Sequence, residues 1–417
     1  MPWAFLAVTL VGAWFTFNAY LPHRRQGGLR VPSFLAGWLT SELPGHHFAW
    51  QVVATAFFVW AGALAAWPGW LGLGITLASW LGLLAMVPLA RRSAGALEGS
   101  LASALGRDYR ERVEAGGRRR SAPPSRSQLL VPLWMRDRAV RVSRDLRYAP
   151  GAGRRHLLDV YAPLEGVRDA PVLLQIHGGA WVVGHKRQQA LPLMLDLAAR
   201  GWVCVAINYR LSPRATFPDH LVDVKLAVRW IREHVAEHGG DPSFLAVTGG
   251  SAGGHLAALA ALTPNDPAYQ PGFEAFDTRV QACVPFYGVY DFTDRLGIDP
   301  GFVRFLERVV MKRKIAEDPE AFERASPMGR VRVDAPPFFV VHGTHDSLVP
   351  LATARHFAEL LRKTSRQRVA FAEVPYAQHA FEVFHSLRTR CAVEAVGRFL
   401  DFVYEEWRAE RPARAIG

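Results

Sequence analysis

A chain of 417 residues, 50% of them hydrophobic and with a formal charge of +12, is too long for one ordinary domain and points to two units. The charge is concentrated: from Arg91 to Arg155 sixteen arginines stand against six acids, a local excess of +10, with none of the aromatic-interleaved pattern of a base-reading module. This argues against a nucleic-acid partner and for attraction to anionic membrane lipids.

In chain order, three stretches are apolar for about 20 residues, the length needed to cross a bilayer as a helix. They run from Trp3 to Leu21, from Ala49 to Trp67 and from Trp70 to Ala90, with Pro68 and Gly69 as the break between the last two. The first lacks a basic leading segment and a small-residue cleavage site, so it reads as a retained anchor rather than a signal peptide. Arg24, Arg25 and Arg30 follow the first stretch and Arg91 and Arg92 the third. By the positive-inside rule, this expects a multi-pass protein whose amino terminus is outside and whose chain after Arg91 is cytoplasmic.

Residues 1–92 are thus expected to form a membrane region with about three transmembrane helices. Residues 93–127 are expected to form a basic juxtamembrane helix and linker. In that helix Leu97, Leu101, Leu105 and Tyr109 recur every fourth residue and line one face, while GGRRRSAPPSRS (116–127) has linker composition.

Residues 128–417 read as a catalytic domain. Apolar runs at 157–162, 172–177, 202–209, 244–249, 282–288, 338–343 and 369–375 alternate with helical segments such as Leu221 to His238. Such alternation predicts an α/β domain, a mostly parallel sheet with helices on both faces. Cys204 and Cys283 fall in these runs, and neither they nor Cys391 has metal-ligand spacing, so buried free thiols and no metal are expected.

Ligands in this architecture bind beyond the carboxyl ends of the strands. There the run VTGGSAGGHLAALAAL (247–262) places Gly249-x-Ser251-x-Gly253, the small-residue turn that exposes a serine between strand and helix. It fits neither the P-loop nor the dinucleotide template, because His255 and Leu256 follow Gly254 and Ser251 and Ala252 occupy glycine places. A serine hydroxyl needs a base, and the base needs an orienting acid. HGTHDSLVP places Asp346 after one strand and YAQHAFE places His379 after the next. Competing positions are His342 and His345 for the base and Asp291, in FYGVYDF, for the acid. HGGAW (177–181) follows the strand VLLQIH and offers backbone N–H groups for a developing oxyanion.

Together HGGAW, NYRLSPRATFPDHLVDVKLAVRWI, GGSAGG, HGTHDSLVP and QHAFE resemble the hormone-sensitive-lipase-like branch of the α/β-hydrolase esterases and lipases, over about residues 140 to 405. The resemblance implies the α/β-hydrolase fold, a Ser251, Asp346, His379 triad, an oxyanion hole from the backbone around Gly178, Gly179, Ala180 and Ala252, and hydrolysis of a small-molecule or lipid ester without a cofactor. Ala180 departs from the third glycine of many members. A second departure is the amino terminus, which caps the site in many soluble members and here reads as membrane; a lid is then expected from residues 289–335 or from the bilayer. Arylformamidase or other amide hydrolysis is the alternative activity, and a non-catalytic binding protein on the same scaffold the alternative class.

Overall fold

The computed structural model describes residues 1–23, 29–117, 121 and 126–410; Arg24, Arg25 and much of the expected linker lie outside the described residues. The chain begins with six helices: α1 (Pro2–Tyr20), α2 (Arg30–Glu42), α3 (Pro44–Trp60), α4 (Trp67–Leu105), α5 (Tyr109–Ala115) and α6 (Arg126–Leu130). By length and composition α1 and α4 are apolar enough to cross a membrane, and α3, at 17 residues, is shorter. Polar contacts bind α1 to α4: Thr16 Oγ1 and Ser79 Oγ lie 2.7 Å apart, and the Tyr20 hydroxyl donates to the Gly82 carbonyl at 2.6 Å. At the opposite end Trp3 packs edge-on to Trp67 with ring centroids 5.3 Å apart.

Three boundaries differ from the sequence expectation. The break before the last apolar stretch falls at residues 61–66, and Pro68 sits in the first turn of α4, where the missing N–H of proline is harmless. The third apolar stretch and the juxtamembrane helix as far as Leu105 are one 39-residue element, so the Leu97, Leu101, Leu105 face is carried straight onto the following domain, and Tyr109 follows it at the start of α5. There all four side chains are buried in its core; the face lies on protein rather than on lipid. The connecting stretch after α1 is also helical, forming α2.

The remaining elements are β1 (Val140–Arg147), β2 (Leu157–Pro163), β3 (Ala170–Ile176), α7 (Leu191–Ala199), β4 (Val203–Ile207), α8 (Asp219–His234), β5 (Gly240–Gly250), α9 (Ala252–Leu262), β6 (Ala282–Phe286), α10 (Pro300–Phe305), α11 (Pro319–Ala325), β7 (Phe338–Gly343), α12 (Leu351–Thr364), β8 (Val369–Val374) and α13 (Leu387–Ala409). They build one sheet of order β1-β2-β4-β3-β5-β6-β7-β8, in which β2 runs antiparallel to β1 and β4 and the other pairings are parallel. This is the mostly parallel sheet that the alternating runs anticipate, in the α/β-hydrolase arrangement that the resemblance implies, with β1 as an edge strand that the runs did not include.

Strand alternation sends Val172, Leu174 and Ile176 of β3 to one face, packed with α8, α9 and α12, and Leu173 to the other, packed with α7 and α13. The buried half of α4 joins the second face. Every strand from β3 to β7 is buried along its length, except that residues 241–243 of β5 are only partly buried. The sheet is therefore a rigid platform for the loops at its carboxyl edge.

Candidate active site

Ser251 sits between β5 and α9 with φ 58° and ψ −121°, a conformation that costs an L-residue of the order of 1–3 kcal/mol and persists only where surroundings enforce it. The enforcement is local. A Cβ on Gly253 would lie 2.1 Å from the Ile176 carbonyl oxygen, so α9 begins in backbone contact with the end of β3. The Ser251 N–H donates to the Phe286 carbonyl at 3.0 Å, tying the turn to β6. The motif thus packs the serine between two neighbouring strands at the sheet edge.

The HGGAW loop lies against it: a Cβ on Gly178 would be 3.1 Å from that of Ser251. Gly179, Ala180 and Trp181 all have positive φ, at 112°, 52° and 60°, and the Val182 and Val183 N–H groups both donate to the Gly179 carbonyl at 3.0 Å. Trp181 is buried edge-on to His255 in the first turn of α9, which locks the loop to the serine helix. His177 donates from Nδ1 to the Gly178 carbonyl at 2.7 Å and stacks on Tyr209; burial holds its imidazole down to about 4, so it is neutral and serves as a prop. Of the four backbone positions expected to serve an oxyanion, Gly178 is already committed, its N–H donating to Gln189 Oε1 at 2.6 Å. Among the described residues the N–H groups of Gly179 and Ala180 have no backbone acceptor, and Ala252 opens α9, where the first N–H groups have no intrahelical partner.

Asp346 and His379 meet across the loops after β7 and β8, with Asp346 Oδ2 2.7 Å from His379 Nδ1. Asp346 Oδ1 accepts the Leu348 and Val349 N–H groups at 2.8 Å each, and His342 Nε2 lies 3.3 Å from Oδ2. Burial alone would raise the Asp346 carboxyl, but the His379 and His342 imidazoles beside it prevail and hold it below the usual carboxylate range. Asp346 is thus ionised and rigidly oriented. The Ser251 hydroxyl makes no hydrogen bond to His379 among the described residues; such contacts are commonly loose in unliganded sites.

Tyr287 joins the two halves. Its ring centroid is 4.5 Å from that of His379, and a Cβ on Gly250 would sit 2.7 Å from its hydroxyl. That hydroxyl donates to Glu382 Oε2, and burial pushes the Glu382 carboxyl up to about 7.

The competing positions have other partners. His342 donates to the Val349 carbonyl at 3.0 Å behind Asp346. His345 Nε2 is 3.0 Å from the Tyr20 carbonyl oxygen at the end of α1. Asp291 accepts from the Thr293 hydroxyl and N–H and from the Arg295 N–H, the turn-capping arrangement typical of such residues.

α2 adds a cover over the site that the sequence reading did not expect, beside the segment 289–335. Phe34 presents its ring edge-on to His379, centroids 6.1 Å apart, and stacks on Trp38, which stacks in turn on Phe384. Trp38 Nε1 donates to the Ala380 carbonyl at 2.8 Å. Arg30 donates to the Ser347 and Leu348 carbonyls and pairs with Asp299 at 3.1 Å. At the other end Glu42 is fully buried and pairs with Arg388 at 3.1 Å, while Arg388 Nε donates to the Pro375 carbonyl. A cap does come from the amino-terminal region, from the segment between its first two apolar helices. Sequence reading missed α2, Tyr287 and Glu382; the signals present were the Phe34, Trp38 pair one turn apart and the acid three places after His379.

The chain is similar to known esterases. The family model BD-FAE matches residues 158–361. A probable carboxylic ester hydrolase of Mycobacterium tuberculosis, LipM, is 46% identical over 99% of this chain and 96% of its own length. The esterase LipQ of the same organism is 47% identical over 76% of each chain. Among solved structures, a thermophilic esterase of Thermogutta terrifontis with propionate bound superposes with a TM-score of 0.53 at 27% identity, over 64% of this chain and 94% of that one.

Proposed function

Because the chain belongs to the α/β-hydrolase esterases, and is a carboxylic-ester hydrolase, we propose that Ser251, His379 and Asp346 are its catalytic triad and that it works at the surface of a membrane in which its amino-terminal helices are embedded. The observation that carries the triad is the juxtaposition at one sheet edge of a serine at positive φ with a buried, ionised Asp346 bonded to His379 Nδ1.

In the reaction His379 Nε2 takes the Ser251 Oγ proton as Oγ attacks the ester carbonyl carbon. The carbonyl oxygen becomes an oxyanion and is stabilised by the N–H groups of Gly179, Ala180 and Ala252 without reorganisation. Collapse breaks the bond to the alcohol oxygen, which leaves with the proton from His379. Water then attacks the acyl-enzyme by the same route, releasing the acid and restoring Ser251. Asp346 keeps Nδ1 protonated and stabilises the imidazolium throughout.

The membrane reading rests on α1, α3 and α4 as one bundle. Trp3, Trp60 and Trp67, all exposed, lie toward the end away from the sheet, where indole rings suit an interface, and Arg91 and Arg92 are exposed beyond the apolar part of α4. An amino terminus outside and a cytoplasmic catalytic domain, 128–417, follow by the positive-inside rule.

The test is cleavage of p-nitrophenyl acyl esters and labelling by a fluorophosphonate, both expected to disappear in Ser251→Ala; activity intact in that variant refutes the triad. A series of acyl chain lengths run beside formyl amides separates lipase, short-chain esterase and formamidase. A reporter at the carboxyl terminus is expected to be active only in the cytoplasm.

A further inference from the structure

Resting on the membrane reading above, we propose that the segment from Gln128 to Trp134 is a second membrane contact: a short apolar element that inserts into the boundary between headgroups and acyl chains beside α3. Leu130, Leu133 and Trp134 are 73%, 66% and 54% exposed, and Val131 is exposed with them. Four large apolar side chains in five residues leave the protein surface together, an unusual expenditure of hydrophobic area for a loop facing water.

The segment is held in place. The Leu130 carbonyl accepts from His46 Nε2 at 3.0 Å, the Pro132 carbonyl accepts the His385 N–H at 3.1 Å, and Met135 turns inward against the core. Its backbone is thus fixed between α3 and the loop that follows His379, while Leu130, Val131, Leu133 and Trp134 remain exposed.

The level of the segment follows from α3. His46 stands 14 positions before Trp60 in an unbroken helix, which is about 21 Å along the axis at about 1.5 Å per residue. The hydrocarbon core of a bilayer is about 30 Å thick. With Trp60, Trp3 and Trp67 at the far interface, His46 and the Leu130 bonded to it lie at the near boundary or inside it. Trp134 carries the Arg136 guanidinium 5.5 Å from its ring centroid, and Arg138 is exposed two residues on; apolar side chains below basic ones suit an interfacial segment on anionic lipid.

Nitroxide accessibility on the full chain tests this. In a Cys391→Ser background, Leu133→Cys, Leu77→Cys on α4 and Val333→Cys on the sheet domain are each spin-labelled in nanodiscs of phosphatidylcholine and phosphatidylglycerol, and ester hydrolysis is checked in each. The label at 133 is expected to collide with oxygen more than with a water-soluble nickel chelate, as at 77, and the label at 333 to do the reverse. A water-exposed 133 beside a lipid-exposed 77 overturns the proposal and leaves the anchor intact; a water-exposed 77 overturns the anchor reading itself. Shielding of 133 from both reagents, with spin broadening that vanishes on dilution with unlabelled chain, overturns the proposal in favour of a contact between two copies.

Discussion

The two halves of the candidate site are built from different materials. Ser251 and the HGGAW loop are held by the sheet itself, through backbone approaches as close as Gly253 to Ile176 and through the Ser251 N–H bond to β6. The loops bearing Asp346 and His379 are held from outside the sheet, by Arg30 on the Ser347 and Leu348 carbonyls, Trp38 on Ala380, the Tyr20 carbonyl on His345, and the Glu42–Arg388 pair above Pro375. Ser251 is thus positioned by the α/β platform alone, whereas the loops carrying Asp346 and His379 are braced in addition by helices that precede it. A homologous sheet without α1 and α2 would keep the first half and have to rebuild the second.

Four perturbations probe that asymmetry. The largest effect is expected from Asp346→Asn, which disfavours the productive His379 tautomer; kcat should fall by about 10⁴, and the melting temperature should fall too, because the depressed Asp346 carboxyl contributes to stability at neutral pH. Glu42→Ala comes next. It leaves the Arg388 guanidinium buried without its carboxylate, a loss of about 3–5 kcal/mol, read as a lower melting temperature; the double change Glu42→Met with Arg388→Met should recover most of it. Full stability in Glu42→Ala would show that the outer half does not depend on this pair.

Titration gives a third comparison, within the outer half. Asp346 is depressed, so its contribution to stability is complete above its unfolded value of about 3.9 and is lost as pH falls below it. Glu382 is raised to about 7, so the contribution of its neutral form is complete below about 4.3 and is lost as pH rises toward 7. The groups facing it are Tyr287, His379 and Glu42, the last balanced by Arg388. Denaturant unfolding across that window should show stability declining with pH, and Glu382→Gln should flatten the slope. The smallest effect is expected from Trp38→Phe, which keeps the ring stack and removes one hydrogen bond to Ala380, about 1 kcal/mol; hydrolysis should slow several-fold while fluorophosphonate still labels Ser251.

The same asymmetry governs what the sequence reveals. The sheet, the serine turn and the Asp346 and His379 loops were legible because each is local: an apolar run, a turn residue pattern and a polar residue at a strand end. β1 was missed because it is an edge strand, VRVSRDLR, largely exposed and rich in arginine. α2 was missed because RVPSFLAGWLTSE contains a proline, a glycine and two serines and only a weak apolar stripe; its helicity comes from docking, as tertiary packing commonly overrides propensity. That the Gly178 N–H is already engaged is not legible in the sequence, because no motif announces Gln189, eleven residues on, as its acceptor.

The contacts that seat α2 also fix a time at which the enzyme can exist. Glu42 and Arg388 are separated by 346 positions and Trp38 and Ala380 by 342, so α2, among the first segments to leave the ribosome, waits for nearly the last before it can dock. Contacts this distant in the chain form late. A prematurely terminated chain would carry the Ser251 turn without the loops that α2 braces opposite it.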